Sequence, residues 1–99
     1  STLYLSSATA WEIAIKYALG NLPLHMQPAA FIAEVVRGLG LKPLDITFQH
    51  AIEAAQLPNH HRDPFDRMLI AQAKTENIVL LTAGRIFEKY KLEQIYCGK

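Results

Sequence analysis

Apolar positions recur along the chain with two distinct periods. Leu3, Tyr4 and Leu5 form a short uninterrupted apolar run, which predicts a strand. Trp11, Ala14, Ile15, Ala18 and Leu19 then fall at i, i+3, i+4, i+7 and i+8, the spacing of an amphipathic helix. This puts Trp11 on the buried stripe and makes Gly20 the C-terminal stop. A second helix is expected from Pro28, with Ile32, Val35, Val36 and Leu39 on one face and Gly38 and Gly40 ending it. Leu41 to Ile46 reads as a short strand that Pro43 confines to a sheet edge. Thr47 can cap a third helix whose inward face would be Phe48, Ala51, Ile52 and Ala55. After a polar loop from Pro58 to Arg62, Asp63 caps a fourth helix. It has Pro64 at its first position and Phe65, Met68, Leu69 and Ala73 facing inward. Ile78 to Leu81 has the pattern of a strand buried on both faces. A helical turn from Ile86 to Tyr90 and a last strand from Gln94 to Cys97 complete the reading. Strands alternating with helices imply an α/β fold, a parallel sheet with helices packed on it.

Composition narrows this little but usefully. With 99 residues the chain is one domain, and neither a repeat nor a linker divides it. A hydrophobic fraction of 51% is enough to build a core, which argues against disorder. The net charge of +1 neither favours nor excludes a nucleic-acid partner. The single Cys97 cannot form an internal disulfide, and Cys-rich zinc sites are impossible; a reducing, cytoplasmic compartment follows as the expectation. No apolar run reaches the ~20 residues of a membrane span, so no membrane partner is expected. The chain opens on Ser1 without an initiating Met, which leads us to expect a segment ahead of it.

Three acids stand at predicted helix starts. Thr9-Ala10-Trp11-Glu12 matches a capping box, and Asp63-Pro64-Phe65-Asp66 has the same form, so capping alone accounts for each of them. The set also has a chemical reading. Asp63 and Asp66 are three residues apart at one helix end, and close carboxylates repel unless they share a cation. Hard cations such as Mg²⁺ and Mn²⁺ take carboxylate oxygen and water. Ligand sites in open parallel sheets gather at the carboxyl ends of strands, just where Glu12 and Thr82-Ala83-Gly84 follow their strands. The adjacent His60 and His61 read as a solvated loop or phosphate contact more readily than as zinc ligands. Lys16, Arg62, Arg67 and Arg85 could meet RNA phosphates or simply pair with neighbouring acids. Trp11 is expected in the core in preference to a base-stacking role.

Leu5-Ser6-Ser7-Ala8-Thr9-Ala10-Trp11-Glu12-Ile13-Ala14-Ile15-Lys16 resembles the second acidic motif of the PIN-domain nucleases, in the form found in VapC-type toxins of bacterial toxin–antitoxin pairs. His61-Arg62-Asp63-Pro64-Phe65-Asp66-Arg67-Met68-Leu69-Ile70-Ala71-Gln72-Ala73 resembles the third motif, and Leu80-Leu81-Thr82-Ala83-Gly84-Arg85-Ile86-Phe87 looks like the fourth. The resemblance runs in order from about Leu3 to Tyr96. It implies a PIN-like sheet flanked by helices and a Mg²⁺- or Mn²⁺-dependent endoribonuclease, in which a metal-activated water hydrolyses an RNA phosphodiester. It implies Glu12 and Asp66 as metal ligands with Asp63 close by, a homodimer, and a cognate antitoxin. Two departures accompany it. The family's first strand, which ends in an Asp and lies mid-sheet, has no counterpart here, and the fourth motif carries Gly84 where an acid is usual. Of four acidic positions the chain matches those at Glu12 and Asp66. A catalytically defective remnant that keeps an antitoxin-binding or dimerisation surface is the alternative. A vacant mid-sheet position would be relieved by pairing with another copy, by a separate chain, or by direct closure between Leu3–Leu5 and Ile78–Leu81.

Overall fold

The structure, a computed structural model, describes residues 2–58 and 63–90. Its elements are β1 (Leu3–Ser6), α1 (Ser7–Ala18), α2 (Pro28–Leu39), β2 (Lys42–Leu44), α3 (Phe48–Ala55), α4 (Pro64–Glu76), β3 (Val79–Leu80) and α5 (Ala83–Tyr90). The fold is α/β: the three strands form a parallel sheet in the order β2-β1-β3, with helices packed around it. β1 is central and pairs with Pro43 and its neighbours on one side (Leu5↔Pro43) and with β3 on the other (Tyr4↔Leu80). Among the described residues β2 therefore lies at an edge, as Pro43 requires. β1 and β3 are direct neighbours, so closure of the sheet between them is the arrangement the described residues adopt.

One apolar cluster joins the sheet to its helices. Leu5 of β1, Ile13 of α1, Phe31 and Val35 of α2, and Leu81 and Ile86 around α5 are all buried in it. Phe31 and Phe87 stack with ring centroids 6.0 Å apart, tying α2 to α5. Burying side chains of this size stabilises by about 1.5–3 kcal/mol each, so this cluster is the main support of the sheet.

The helix boundaries follow local chemistry. Gly20, two residues past the end of α1, has φ +78°, and Gly40 caps α2 at φ +62°, both left-handed positions that suit glycine. Thr47 caps α3 by accepting from the His50 N–H, and Asp63 caps α4, which begins with Pro64 at its first position.

Several expectations are corrected. The helix bearing Glu12 starts at Ser7 with Ser6 as its cap, so Thr9 and Glu12 are interior and do not form a capping box. The cap falls on the last residue of β1 because the Ser6 hydroxyl accepts from the Ala8 N–H at 3.0 Å. Trp11 is 61% exposed and is not a core residue. The predicted inward face of α3 points outward: Phe48 is 91% exposed and Ile52 58%, while His50 and Ala54 are buried. The first strand extends to Ser6, β2 is confined to Lys42–Leu44, and β3 is two residues long with Val79 exposed. Ile78 to Leu81 is thus not a strand buried on both faces, because among the described residues β3 is an edge of the sheet. α5 begins at Ala83, three residues earlier than expected. The expected last strand from Gln94 to Cys97, and His60, His61 and Arg62, lie outside the described residues.

Candidate metal centre at the α1–α4 junction

β1 runs into α1 without a loop, so α1 begins at the carboxyl end of the central strand. Two contacts set α1 against α4. At the start of α1, the Ser6 hydroxyl donates to Gln72 Oε1 at 2.5 Å. One and a half turns further on, the Trp11 and Phe65 rings meet edge to face, with centroids 5.5 Å apart. Advancing along α1 therefore means moving back along α4, and the two helices run antiparallel. Trp11 precedes Glu12 and Phe65 precedes Asp66, so Glu12, midway along α1, and Asp66, in the first turn of α4, each follow a residue of this contact. The carboxyl end of β1, where α1 begins, is where the strand-end rule for open sheets places a ligand site.

The three acids differ in what already engages them. Glu12 lies in the second turn of α1, its side chain only 16% exposed, and its Oε2 is 3.1 Å from Lys16 Nζ four residues on. Thr9, one turn earlier on α1, has its hydroxyl 3.5 Å from the Leu81 carbonyl, a long contact at the exit of β3. Asp66, in the first turn of α4, is exposed. Asp63 is engaged through one oxygen: Oδ1 accepts from the Phe65 N–H at 2.8 Å and from the Asp66 N–H at 3.4 Å. It is the cap of α4, and its first bond is the stronger on distance. Among the described residues no group of three or more His, Cys, Asp or Glu side chains is placed to hold a metal ion. Gly84 stands in the first turn of α5, and a Cβ built there would meet nothing within 4 Å.

The basic residues are largely committed within the chain. Arg67 grips the end of α3 and the loop behind it, donating to the carbonyls of Ala54 (2.8 Å), Leu57 (2.9 Å), Pro58 (3.0 Å) and Ala55 (3.3 Å). Neither phosphate binding nor an acid partner was needed to explain it; it satisfies carbonyls that a helix end leaves open. Arg85 pairs with Glu88 at 3.4 Å on the surface of α5.

Below the acids lies a buried polar cluster that sequence reasoning missed. Gln72 Nε2 donates to His50 Nδ1 at 3.2 Å and to the Asp45 carbonyl at 3.4 Å. His50 Nδ1 also accepts from the Thr47 N–H at 3.0 Å. Because Nδ1 accepts, the ring proton sits on Nε2, which donates to Glu76 Oε2 at 2.7 Å. Among the described residues, no buried side-chain nitrogen or oxygen lacks a partner. The Thr47-Phe48-Gln49-His50 spacing was the available signal, since a His can close a capping box as Glu does.

The PIN domain profile matches residues 1–92. Over 50 residues the chain is 40% identical to Ribonuclease VapC16 of Mycobacterium tuberculosis; the match covers half of this chain and 36% of the relative, so the chain spans little more than a third of that protein's length. No solved structure matches the chain significantly.

Proposed function

The chain belongs to the PIN-domain family, and from that premise we propose that it carries the catalytic edge of a metal-dependent endoribonuclease, the toxin of a toxin–antitoxin pair. The observation that supports this most is the antiparallel seating of α1 on α4, in which the contacting Trp11 and Phe65 each immediately precede one of the two acids. The similarity to a protein named a ribonuclease supports the same reading.

Two carboxylates on separate helices fit one hard divalent cation, since Mg²⁺ keeps several waters and needs only one or two carboxylates. In this reading Glu12 and Asp66 hold Mg²⁺ or Mn²⁺. When bound, such an ion supplies a polarised water and positive charge against a phosphodiester oxygen. The chain's own residues do the rest. Lys16 holds the Glu12 carboxylate in one orientation, and Asp63 fixes the first turn of α4, which carries Asp66. The N-terminal end of α4 attracts a phosphate and the two acids repel it, so a bound cation would shift this balance toward phosphate binding.

The substrate in this reading is RNA in the cytoplasm, with a homodimer and a cognate antitoxin as partners. Among the described residues no helix is long and apolar enough to cross a membrane. A second reading has its own observation. The outward apolar face of α3, with Phe48 and Ile52, suits a chain that acts mainly as an antitoxin-binding or dimerisation module, and Gly84 in place of an acid fits that reading too.

Single-stranded RNA incubated with the chain and Mg²⁺ or Mn²⁺ separates the two. The nuclease reading expects cleavage that EDTA, Glu12→Gln and Asp66→Asn each abolish. Cleavage indifferent to all three would overturn it, and an intact RNA alongside antitoxin binding would favour the module.

A further inference from the structure

Resting on the reading that Glu12 and Asp66 share a site, we propose that Gln72 is a positioning residue that sets the helix carrying Glu12 against the helix carrying Asp66. Gln72 is fully buried in α4, six residues after Asp66, about 9 Å along the helix axis. Its amide is used on both sides. Oε1 accepts from the Ser6 hydroxyl, while Nε2 donates to His50 Nδ1 and to the Asp45 carbonyl. A leucine would fill similar space, so packing alone does not call for an amide here.

What the amide adds is direction. The Ser6 hydroxyl gives its proton to Gln72 and its lone pair to the Ala8 N–H. The hydroxyl is thereby fixed in rotation, and the first turn of α1 is fixed to α4 through it. His50 holds the amide from the other side, with its own orientation set by Thr47 and Glu76. Gln72 cannot turn over without facing its NH₂ toward a hydroxyl committed as a donor and its oxygen toward an accepting ring nitrogen. A further contact between the helices is the Trp11–Phe65 edge contact, in which Trp11 is mostly exposed. Such a contact tolerates sliding. A slide of one residue moves a helix by about 1.5 Å and turns its side chains by about 100°, which would carry Glu12 away from Asp66. Misplacement of about 1 Å is enough to lower a reaction rate by around 100-fold.

Trp11 is the single tryptophan of the chain, so its near-ultraviolet circular dichroism reads the α1–α4 contact without metal or RNA. In Gln72→Leu the Trp11 band is lost while far-ultraviolet helix content stays. In Val35→Ala, a core change made elsewhere in the cluster, the band stays at temperatures below unfolding. In the cleavage assay Gln72→Leu lowers kcat by about 100-fold and leaves KM near its original value. A native Trp11 band in Gln72→Leu, or an equal loss in Val35→Ala, overturns the proposal. If Gln72→Leu does not fold, Ser6→Ala, which cuts the same link, leaves Gln72 and His50 paired and also removes the α1 cap, takes its place with the same two outcomes, read where its far-ultraviolet helix content equals that of the parent chain. The dichroism reads positioning alone, and the effect of Asp66→Asn on cleavage reads the nuclease assignment alone, so failure of one is distinguishable from failure of the other.

Discussion

Replacing Asp63 separates a helix cap from a metal ligand. Asp63→Ala removes the oxygen that accepts from the Phe65 and Asp66 N–H groups at 2.8 and 3.4 Å. The longer bond is beyond the usual range and contributes little, so the loss is that of one good cap, about 1 kcal/mol. Some loss of charge at the positive end of α4 adds to it, typically 0.3–1 kcal/mol at about this degree of exposure. For a domain of this size each kcal/mol shifts Tm by about 4–8 °C. Asp63→Asn keeps an accepting oxygen at the same place, and Asn is about as good a cap as Asp. It should therefore recover most of the lost Tm in a thermal melt followed by far-ultraviolet dichroism. In the RNA cleavage assay Asp63→Asn should retain activity, whereas Asp66→Asn loses it with little change in Tm, since Asp66 is exposed and caps nothing. The reasoning fails if Asp63→Asn melts like the parent chain yet abolishes metal-dependent cleavage, because the second oxygen would then be a ligand.

Three further outcomes follow from the same geometry. Gly84→Asp should fold normally, since a Cβ there meets nothing within 4 Å, and should raise Mn²⁺ affinity in a calorimetric titration; unchanged affinity would place position 84 outside the site. Arg67→Lys should lower stability by about 1.5–3 kcal/mol in urea unfolding, because an ammonium cannot span four carbonyls that the guanidinium fork reaches. Phe48→Ser on the outer face of α3 should change monomer stability by no more than about 0.5 kcal/mol but reduce any self-association seen by sedimentation; an unchanged sedimentation profile in an associating sample would clear α3 of that role.

Much of the fold was legible because local chemistry decided it. Thr47 and Asp63 accept from orphan N–H groups, Pro28 and Pro64 remove one at a first helical position, Gly40 takes the left-handed cap, and the structure uses each of them as the sequence suggests. Pro43 announced an edge strand. What was not legible was which face of a helix turns inward. α3 has an apolar stripe, yet the stripe is exposed because His50 on the opposite face is tied to Thr47, Gln72 and Glu76. Those bonds join residues 22 and 26 positions apart, a separation that no local periodicity encodes. The start of α1 was obscured in the same way. Ser6, Ser7 and Thr9 could each have capped, and Ser6 stands out only through its bond to Gln72, 66 residues away. Of the candidate site, the motifs offered the acids, and the helix pairing that sets Trp11 against Phe65 was not readable.

The central claim, that Glu12 and Asp66 address one cation, is tested most directly by Mn²⁺ line broadening in amide NMR spectra of the 99-residue chain. At substoichiometric Mn²⁺ the amides of Glu12 and Asp66 should broaden first and together, and Asp66→Asn should abolish the broadening at both. Broadening confined to one of the two helices, or centred on another part of the chain and indifferent to Asp66→Asn, would contradict the account.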